Sequence, residues 1–413
     1  MKCTILTVGT EILFGSIVNT NAVFLSQELQ NIGVDVMYHM TCGDNPKRLK
    51  EMLAHAYEDC DLIITTGGLG PTQDDLTKEN IAEFFGEKLV MNEVEKQRII
   101  DWFAQTGRPC TENNYKQAVF PEHCTILPNP MGTAPGFMIS KEGRILASLP
   151  GPPVEMRPMF TQYVKPVLAG MCDSRLYYKS LRFIDIGESY LETKLLPLID
   201  GQTDPTLATY ATPFECSLRI ASKRATLEQA QRVVDDMVEK VRAIVGENIY
   251  SEDGSTIDQV VLKLLLSRKI SLSSAESITG GQFAKTVTDM AGISEIFDRG
   301  IVTYSNRAKM EELGVSAETL DRYGAVSEQT AGEMAEGLYR VTGSDVCVSV
   351  TGIAGPDGGT EETPVGTFFV GVCYKGKVSV KKHFVNRRTR ANIRDGAVQF
   401  MFRDIYKVLR DLA

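Results

Sequence analysis

Short β-branched runs alternate with stretches of helical periodicity along the first third of the chain: Thr4 to Val8, Asn21 to Asn31, Val34 to Met40, Pro46 to Tyr57 and Leu62 to Thr66. This alternation predicts a mostly parallel sheet with helices on both faces. From about Tyr177 the pattern changes. Two strand-like runs, Tyr177 to Ile186 and Glu215 to Ser222, flank helical material, and a long amphipathic helix is predicted from Leu227 to Val245. Its residues Ala230, Val234, Val238 and Val241 recur at the spacing of a helix packed on a sheet. The segment reads as a small α+β module. A third unit opens at Ile257 to Leu266 and alternates helices with strands from there on, with no repeat at a fixed period. At 413 residues the chain is long enough for two or three domains.

In parallel sheets, ligands bind beyond the carboxyl ends of the strands. Two loops fall there in the first unit: Thr7-Val8-Gly9-Thr10-Glu11, and the run from Thr65 to Asp75. Gly67, Gly68 and Gly70 permit a tight turn that presents backbone N–H groups, and Thr72, Asp74 and Asp75 add a hydroxyl and two carboxylates. That mixture suits a phosphate-bearing substrate with a divalent metal on its oxygens. The bland reading is an ordinary strand-to-helix turn with an aspartate capping the next helix. Asn113, Asn114 and Lys116 form a polar stretch that either reaches the same ligand or lies in a surface loop.

In the third unit, Ser274-Ala275-Glu276-Ser277-Ile278-Thr279-Gly280-Gly281 places a serine where an apolar strand turns through glycines into a helix. The run from Gly300 to Lys309 brings Tyr304 and Lys309 off the end of a second strand, with no histidine nearby. A Ser-Lys nucleophile pair is the chemistry suggested. Thr279 with Gln282 also fits a helix-capping box, and Asn306 fits a helix cap. Arg390 and Arg394, four apart at a predicted helix start, can face one anionic group; otherwise they belong to a solvated basic cluster with Arg387 and Arg388.

Bulk numbers narrow the partners. Hydrophobic residues make up 43% and charged residues 23% of the chain, enough for buried cores. A formal net charge of -9 argues against coating nucleic acid or an anionic membrane. Nine cysteines without a C-x-x-C pair and four dispersed histidines suit a reducing compartment and offer no zinc-type spacing. The first apolar run is too short for a signal peptide, and no eighteen-residue apolar stretch follows, so a soluble cytoplasmic protein is expected.

The Ser274 to Gly281 and Gly300 to Lys309 runs, with Thr351-Gly352-Ile353-Ala354-Gly355-Pro356-Asp357-Gly358-Gly359 and Pro364-Val365-Gly366-Thr367, resemble the C-terminal domain of the CinA family, the nicotinamide-nucleotide amidohydrolases. The Thr7 opening, the Thr65 to Asp75 run, Asn129 to Gly136 and Leu149 to Pro153 resemble the molybdopterin-binding-like domain that begins CinA proteins. Together these imply an α/β protein of three parts: a three-layer molybdopterin-binding-like domain (1–170), a KH-like α+β module (171–252) and an α/β amidohydrolase domain (253–413).

What the resemblance implies for the last domain is deamidation of nicotinamide mononucleotide to nicotinate mononucleotide and ammonia. Ser277 would be the nucleophile, Lys309 the base and Tyr304 a proton relay. Thr279, Gly280, Gly281, Gly355, Arg390 and Arg394 would bind substrate, with no cofactor. For the first domain it implies either a retained pterin-type ligand pocket or metal-dependent hydrolysis of ADP-ribose to AMP and ribose 5-phosphate. In the second reading Asp74, Asp75 and Glu11 would hold a divalent metal (Mg, Mn or Co), with a monovalent cation as accessory, and Gly67, Gly68, Gly70, Thr72 and Lys78 would hold the diphosphate. Two positions depart from the pattern: Thr10 stands where molybdopterin relatives carry a carboxylate, and Ile278 stands where the family usually has cysteine.

A KH clamp on single-stranded nucleic acid needs a Gly-x-x-Gly loop. Residues 171–252 contain none, and they carry ten Lys and Arg against thirteen Asp and Glu. A structural or dimerising role is expected there, with a homodimer implied and neither nucleic acid nor membrane as partner. The competing readings are a non-catalytic binding protein tied to DNA uptake or damage, and a molybdenum-cofactor enzyme.

Overall fold

The computed structural model describes residues 1–386 and 389–410. It divides into two compact units, Met1–Tyr178 with Ala221–Asp235, and Lys179–Ile220 with Asp236–Ala413. Residues 171–178 and 221–235 fall in the first of these and 179–220 and 236–252 in the second.

The first unit is built on a six-stranded sheet. Strands Asp35–Cys42, Lys2–Val8, Leu62–Thr66 and Arg144–Leu149 run parallel in that spatial order, and Gly136–Lys141 and Thr125–Leu127 continue the sheet antiparallel. Leu62–Thr66 is buried at every position, as a central strand covered on both faces must be. Alternate residues feed two cores. Cys3, Ile5, Leu62 and Ile64 meet Leu25 and Leu29 of helix Thr20–Asn31 and Met156 of helix Pro153–Met159. Leu6, Val8 and Ile63 meet Leu49 and Leu53 of helix Pro46–Asp59 and Ile81 and Phe85 of helix Thr77–Phe85. The period-two pattern of the strands thus delivers the doubly covered sheet that the sequence predicts.

The middle segment contributes strands Arg175–Phe183, Thr206–Ala211, Cys216–Arg224 and Ile249–Ser251, which lie in the sheet order Thr206–Ala211, Cys216–Arg224, Arg175–Phe183, Ile249–Ser251. Helix Leu227–Val245 has the predicted bounds. Strand Thr206–Ala211 is not anticipated from sequence: six residues with three of them Thr or Tyr between Pro205 and Thr212 give too short an alternation to separate from a loop.

The second unit carries a five-stranded sheet. Phe297–Val302, Leu272–Glu276 and Val346–Gly352 are parallel, and Thr367–Tyr374 and Lys377–Phe384 follow antiparallel. Helices Ile257–Arg268 and Arg390–Arg410 supply Val261, Leu265, Met401 and Phe402 to one core. Helix Glu328–Thr342 supplies Met334 and Leu338 to a second core, where Leu313 of helix Asn306–Leu313 also lies. These two helices meet closely at Gly337, where an added Cβ would stand 1.9 Å from the Leu313 carbonyl oxygen. Among the described residues no helix is long and apolar enough to cross a membrane.

Candidate functional site

The C-terminal site lies where the three parallel strands of the second unit end. Strand Leu272–Glu276 stops at Ser277, whose N–H donates to Val350 O at 3.0 Å, and the N–H of Thr303 donates to Glu276 O at 2.9 Å. The strand ends are therefore stitched side by side, and the serine projects from the middle one. Lys309 comes from helix Asn306–Leu313, which Ser305 caps by accepting from the Ala308 N–H. Asn306, a cap candidate by sequence, is the first helical residue instead.

Lys309 is only 1% exposed. Its Nζ lies 3.1 Å from Ser277 Oγ and 2.9 Å from Thr303 O. Neither contact is a carboxylate, so no ion pair among the described residues offsets the loss of water, and burial lowers the Lys309 pKa. A lysine so placed gives up its proton more readily than an exposed one and stands within reach of a serine hydroxyl, which is the arrangement a Ser-Lys nucleophile needs. Both residues line a cavity of about 290 Å³ together with Ile278, Tyr304, Asn306, Gly355, Asp357 and Arg390.

The remaining sequence candidates of this domain take varied places. Tyr304 is at the rim, 63% exposed, and its hydroxyl accepts from Arg390 Nη2 at 3.0 Å. Arg390 also donates to Gly355 O at 2.6 Å, so it ties the Gly352 to Gly358 loop to the strand end bearing Tyr304. Arg394 donates to Thr279 O at 2.6 Å and does not line the cavity. Thr279 is fully buried with an unpartnered Oγ1. Gly280 and Gly281 have φ of +60° and +93°, which supplies the backbone turn into helix Gln282–Thr288. Arg387 and Arg388 lie outside the described residues.

The Thr279 and Gln282 capping box does not form: Gly281 is the N-cap, without a side-chain cap bond. The helix start is served instead by Glu276, whose carboxylate accepts from the N–H groups of Gly281, Phe283 and Ala284. Sequence inspection passes over Glu276. Its one signal is a charged residue ending a short strand of otherwise small or apolar uncharged residues.

The N-terminal site sits at the equivalent strand ends of the first unit, in a cavity of about 440 Å³ lined by the Gly67 to Pro71 loop, Gly9, Pro150 and Gly151. Gly67 has a φ of +105°, and a Cβ there would meet Val8 O at 2.0 Å. Glu11, Asp74 and Asp75 line the same cavity, joined by Asp44 and Glu155, which the sequence does not single out. Asp44 holds Thr10, accepting from its N–H at 3.1 Å and its hydroxyl at 2.7 Å. Thr10, the position where a carboxylate is missing, thus carries a carboxylate partner from the next strand's end. Glu155 accepts from Asn129 Nδ2 at 2.6 Å.

Thr72 turns inward on its own loop, donating through its N–H to Asp75 Oδ2 at 3.0 Å. Lys116 of the 3-10 turn Glu112–Ala118 donates to Thr72 O at 3.1 Å, and Asn113 Nδ2 approaches Pro71 O at 3.4 Å, so this turn braces the glycine loop. Lys78 is buried away from the cavity. Its Nζ donates to Lys116 O at 3.1 Å and Gln117 O at 2.8 Å and lies 4.7 Å from the Phe120 ring centroid; burial pushes its pKa down to about 7. Among the described residues no group of three or more His, Cys, Asp or Glu side chains is placed to hold a metal ion. Glu11, Asp74 and Asp75 therefore share the cavity wall without forming a three-ligand set.

Comparison with known proteins places these units. The family described as "Probable molybdopterin binding domain" matches residues 4–170, "Damage-inducible protein CinA KH domain" matches 178–251, and "CinA C-terminal domain" matches 254–409. A competence-damage inducible protein of Caldicellulosiruptor saccharolyticus is 47% identical over 378 residues, 92% of each chain. Its counterpart in Clostridium novyi is 46% identical over 94% of each chain. Among solved structures, a competence/damage inducible protein from Agrobacterium tumefaciens is 38% identical, covering 37% of this chain and 92% of its own, with a TM-score of 0.36. On the identity and coverage of these full-length relatives, the chain belongs to the CinA family of competence/damage-inducible proteins.

Proposed function

We propose that the C-terminal site is a nicotinamide-nucleotide amidohydrolase that converts nicotinamide mononucleotide to nicotinate mononucleotide and ammonia. The observation that carries this reading is the buried Lys309 Nζ, 3.1 Å from Ser277 Oγ at the floor of an open cavity. Neutral Lys309 accepts the serine proton as Oγ bonds to the carboxamide carbon. The hydrogen bond to Thr303 O occupies one N–H, and rotation about the Cε–Nζ bond lets the neutral amine turn its lone pair to the serine. Collapse of the tetrahedral adduct breaks the C–N bond, the lysine returns its proton to the leaving nitrogen, and ammonia departs. Water then cleaves the acyl-serine ester, with Lys309 again taking the proton. Arg390 at the mouth supplies a cation for the 5′-phosphate. Ammonia release from nicotinamide mononucleotide by the intact protein tests this directly, and a folded protein that releases none would end it.

A second activity is favoured by a separate observation, the glycine-walled cavity with five carboxylates on its border. We propose that it hydrolyses ADP-ribose to AMP and ribose 5-phosphate, with the Gly67 to Gly70 backbone placing one phosphate. No three carboxylates converge, but magnesium-type ions typically take one or two carboxylates plus phosphate oxygens and water, so a metal shared with the diphosphate fits these residues. Such a metal would neutralise charge on the diphosphate. A chelator is then expected to abolish AMP formation from ADP-ribose while ammonia release from nicotinamide mononucleotide continues, both followed in one sample. AMP formation that survives chelation would remove the metal from this reading. The same proposal takes the protein as a cytoplasmic homodimer acting on small nucleotides.

A further inference from the structure

Glu276 is the last residue of strand Leu272–Glu276 and is fully buried. A buried carboxylate is costly unless its oxygens are satisfied. Here Oε2 accepts from the N–H groups of Gly281 and Phe283, each at 3.0 Å, and Oε1 accepts from the N–H of Ala284 at 2.8 Å. The first N–H groups of a helix have no partner within it, and an ordinary cap supplies one from the boundary residue. The boundary residue here is a glycine. The acceptor comes from five residues earlier, across the nucleophile loop.

The consequence is mechanical. Residues 277–280 span a closed gap whose two ends, the strand terminus and the helix start, are joined by one side chain. Its outer turn is held in addition by Arg394 on Thr279 O and by the Gly280 N–H on Ser277 O at 3.2 Å. Lys309 stands on a different helix, reached through a different strand. The 3.1 Å approach of Lys309 to Ser277 therefore depends on where the loop is pinned: the Ser277 N–H on Val350 O holds its strand end, and the Glu276 carboxylate holds its helix end.

Resting on the reading of Ser277 as a nucleophile, we propose that Glu276 is the positioning residue of that nucleophile, holding Ser277 Oγ within hydrogen-bond reach of Lys309 through its three backbone bonds. It touches no substrate. It also takes the N–H groups at the helix start, so these are not open to a substrate oxyanion or phosphate.

The test is the rate at which a sulfonyl fluoride modifies Ser277, followed by intact mass, beside kcat and KM for ammonia release. Glu276→Gln keeps the volume but turns an amide N–H₂ toward backbone N–H groups. It is expected to cut both the labelling rate and kcat by about 100-fold, with KM within about threefold, because a displacement near 1 Å at the reacting pair costs that much. Glu276→Asp, which keeps the charge and withdraws it by one methylene, is expected to fall between the two and carries the test if the glutamine variant does not fold. Thermal unfolding establishes that the variants compared are native.

A folded variant that labels within threefold of the unchanged protein overturns the proposal, as does a loss confined to KM. An unchanged protein that labels at Ser277 without releasing ammonia ends the amidohydrolase reading, while the labelling ratio still decides the role of Glu276. Failure of the unchanged protein to label overturns the positioning role itself.

Discussion

Ser277→Ala is expected to lower ammonia release from nicotinamide mononucleotide at least about a thousandfold, and Lys309→Ala by about 10²–10⁴, the range typical of a lost general base. The double variant should be scarcely worse than Ser277→Ala, because the two side chains act as a unit and such losses are not additive. Lys309→Arg should be as inactive as the alanine variant: a guanidinium stays protonated and cannot take a proton from serine. The pH profile follows from burial. The active form of Lys309 is the neutral amine and its pKa is lowered, so the rate should climb with pH through that lowered pKa and level off above it.

Below that pKa the rate falls as the lysine protonates. The linked stability has the same sign. Between the lowered folded-state pKa and the ordinary lysine value the unfolded chain binds more protons than the native one, so stability rises with pH across that window. Lys309→Met should flatten that slope, which denaturant midpoints measured across the window would reveal. A rate that is flat with pH would show that the lysine is not the base.

Gly67→Ala should abolish AMP formation from ADP-ribose and lower the stability of the first unit by roughly 2–4 kcal/mol, through a positive φ and a backbone clash together. The φ of +105° is unfavourable for alanine, and its Cβ would stand 2.0 Å from Val8 O. Neither neighbour can yield easily. The Gly67 N–H is bonded to Leu149 O at 3.0 Å, and Val8 belongs to the adjacent central strand. Gly86→Ala separates the two causes. There φ is +65°, nothing lies within 4 Å of the added carbon, and the cost should be closer to about 1 kcal/mol. Unfolding midpoints and AMP formation check both variants, with ammonia release expected to persist. An active Gly67→Ala protein would show that the loop does not place the diphosphate.

The strands and helices of both sheets are legible because burial imposes the period of each element on the residue pattern. Leu62–Thr66 and Leu227–Val245 occur with the bounds their patterns predict. The Ser277 and Lys309 pair is legible because a serine at a strand-to-helix turn and a lysine after the neighbouring strand are local features, and parallel pairing of Leu272–Glu276 with Phe297–Val302 brings them together.

What escapes the sequence is the direction in which a side chain turns. Lys78 and Lys116 both lie close to the glycine loop in the chain or across it. Only the packing of Phe120 and the 3-10 turn decides that Lys78 goes inward and Lys116 reaches the loop. Asp44 and Glu155 escape because each lies at a proline-bearing helix start, Asp44 just before Asn45-Pro46 and Glu155 just after Pro152-Pro153, where an acid reads as a cap. Arg390 and Arg394 are correctly placed at one helix start, yet only Arg390 faces the cavity. Their four-residue spacing puts both on one side of the helix without saying which neighbour lies opposite each.

Gly337 is not among the residues that line the cavity of Ser277 and Lys309. Yet its missing side chain lets helix Glu328–Thr342 rest against the last turn of the helix that carries Lys309, with Leu313 O filling the space a methyl would need. Any larger residue would lift that turn, and the lysine with it, away from the serine. In a map of tolerated substitutions, position 337 should carry the signature of an active-site residue, intolerant even of alanine. A search for function by intolerance alone would then mark a spacer between two helices alongside Ser277 and Lys309.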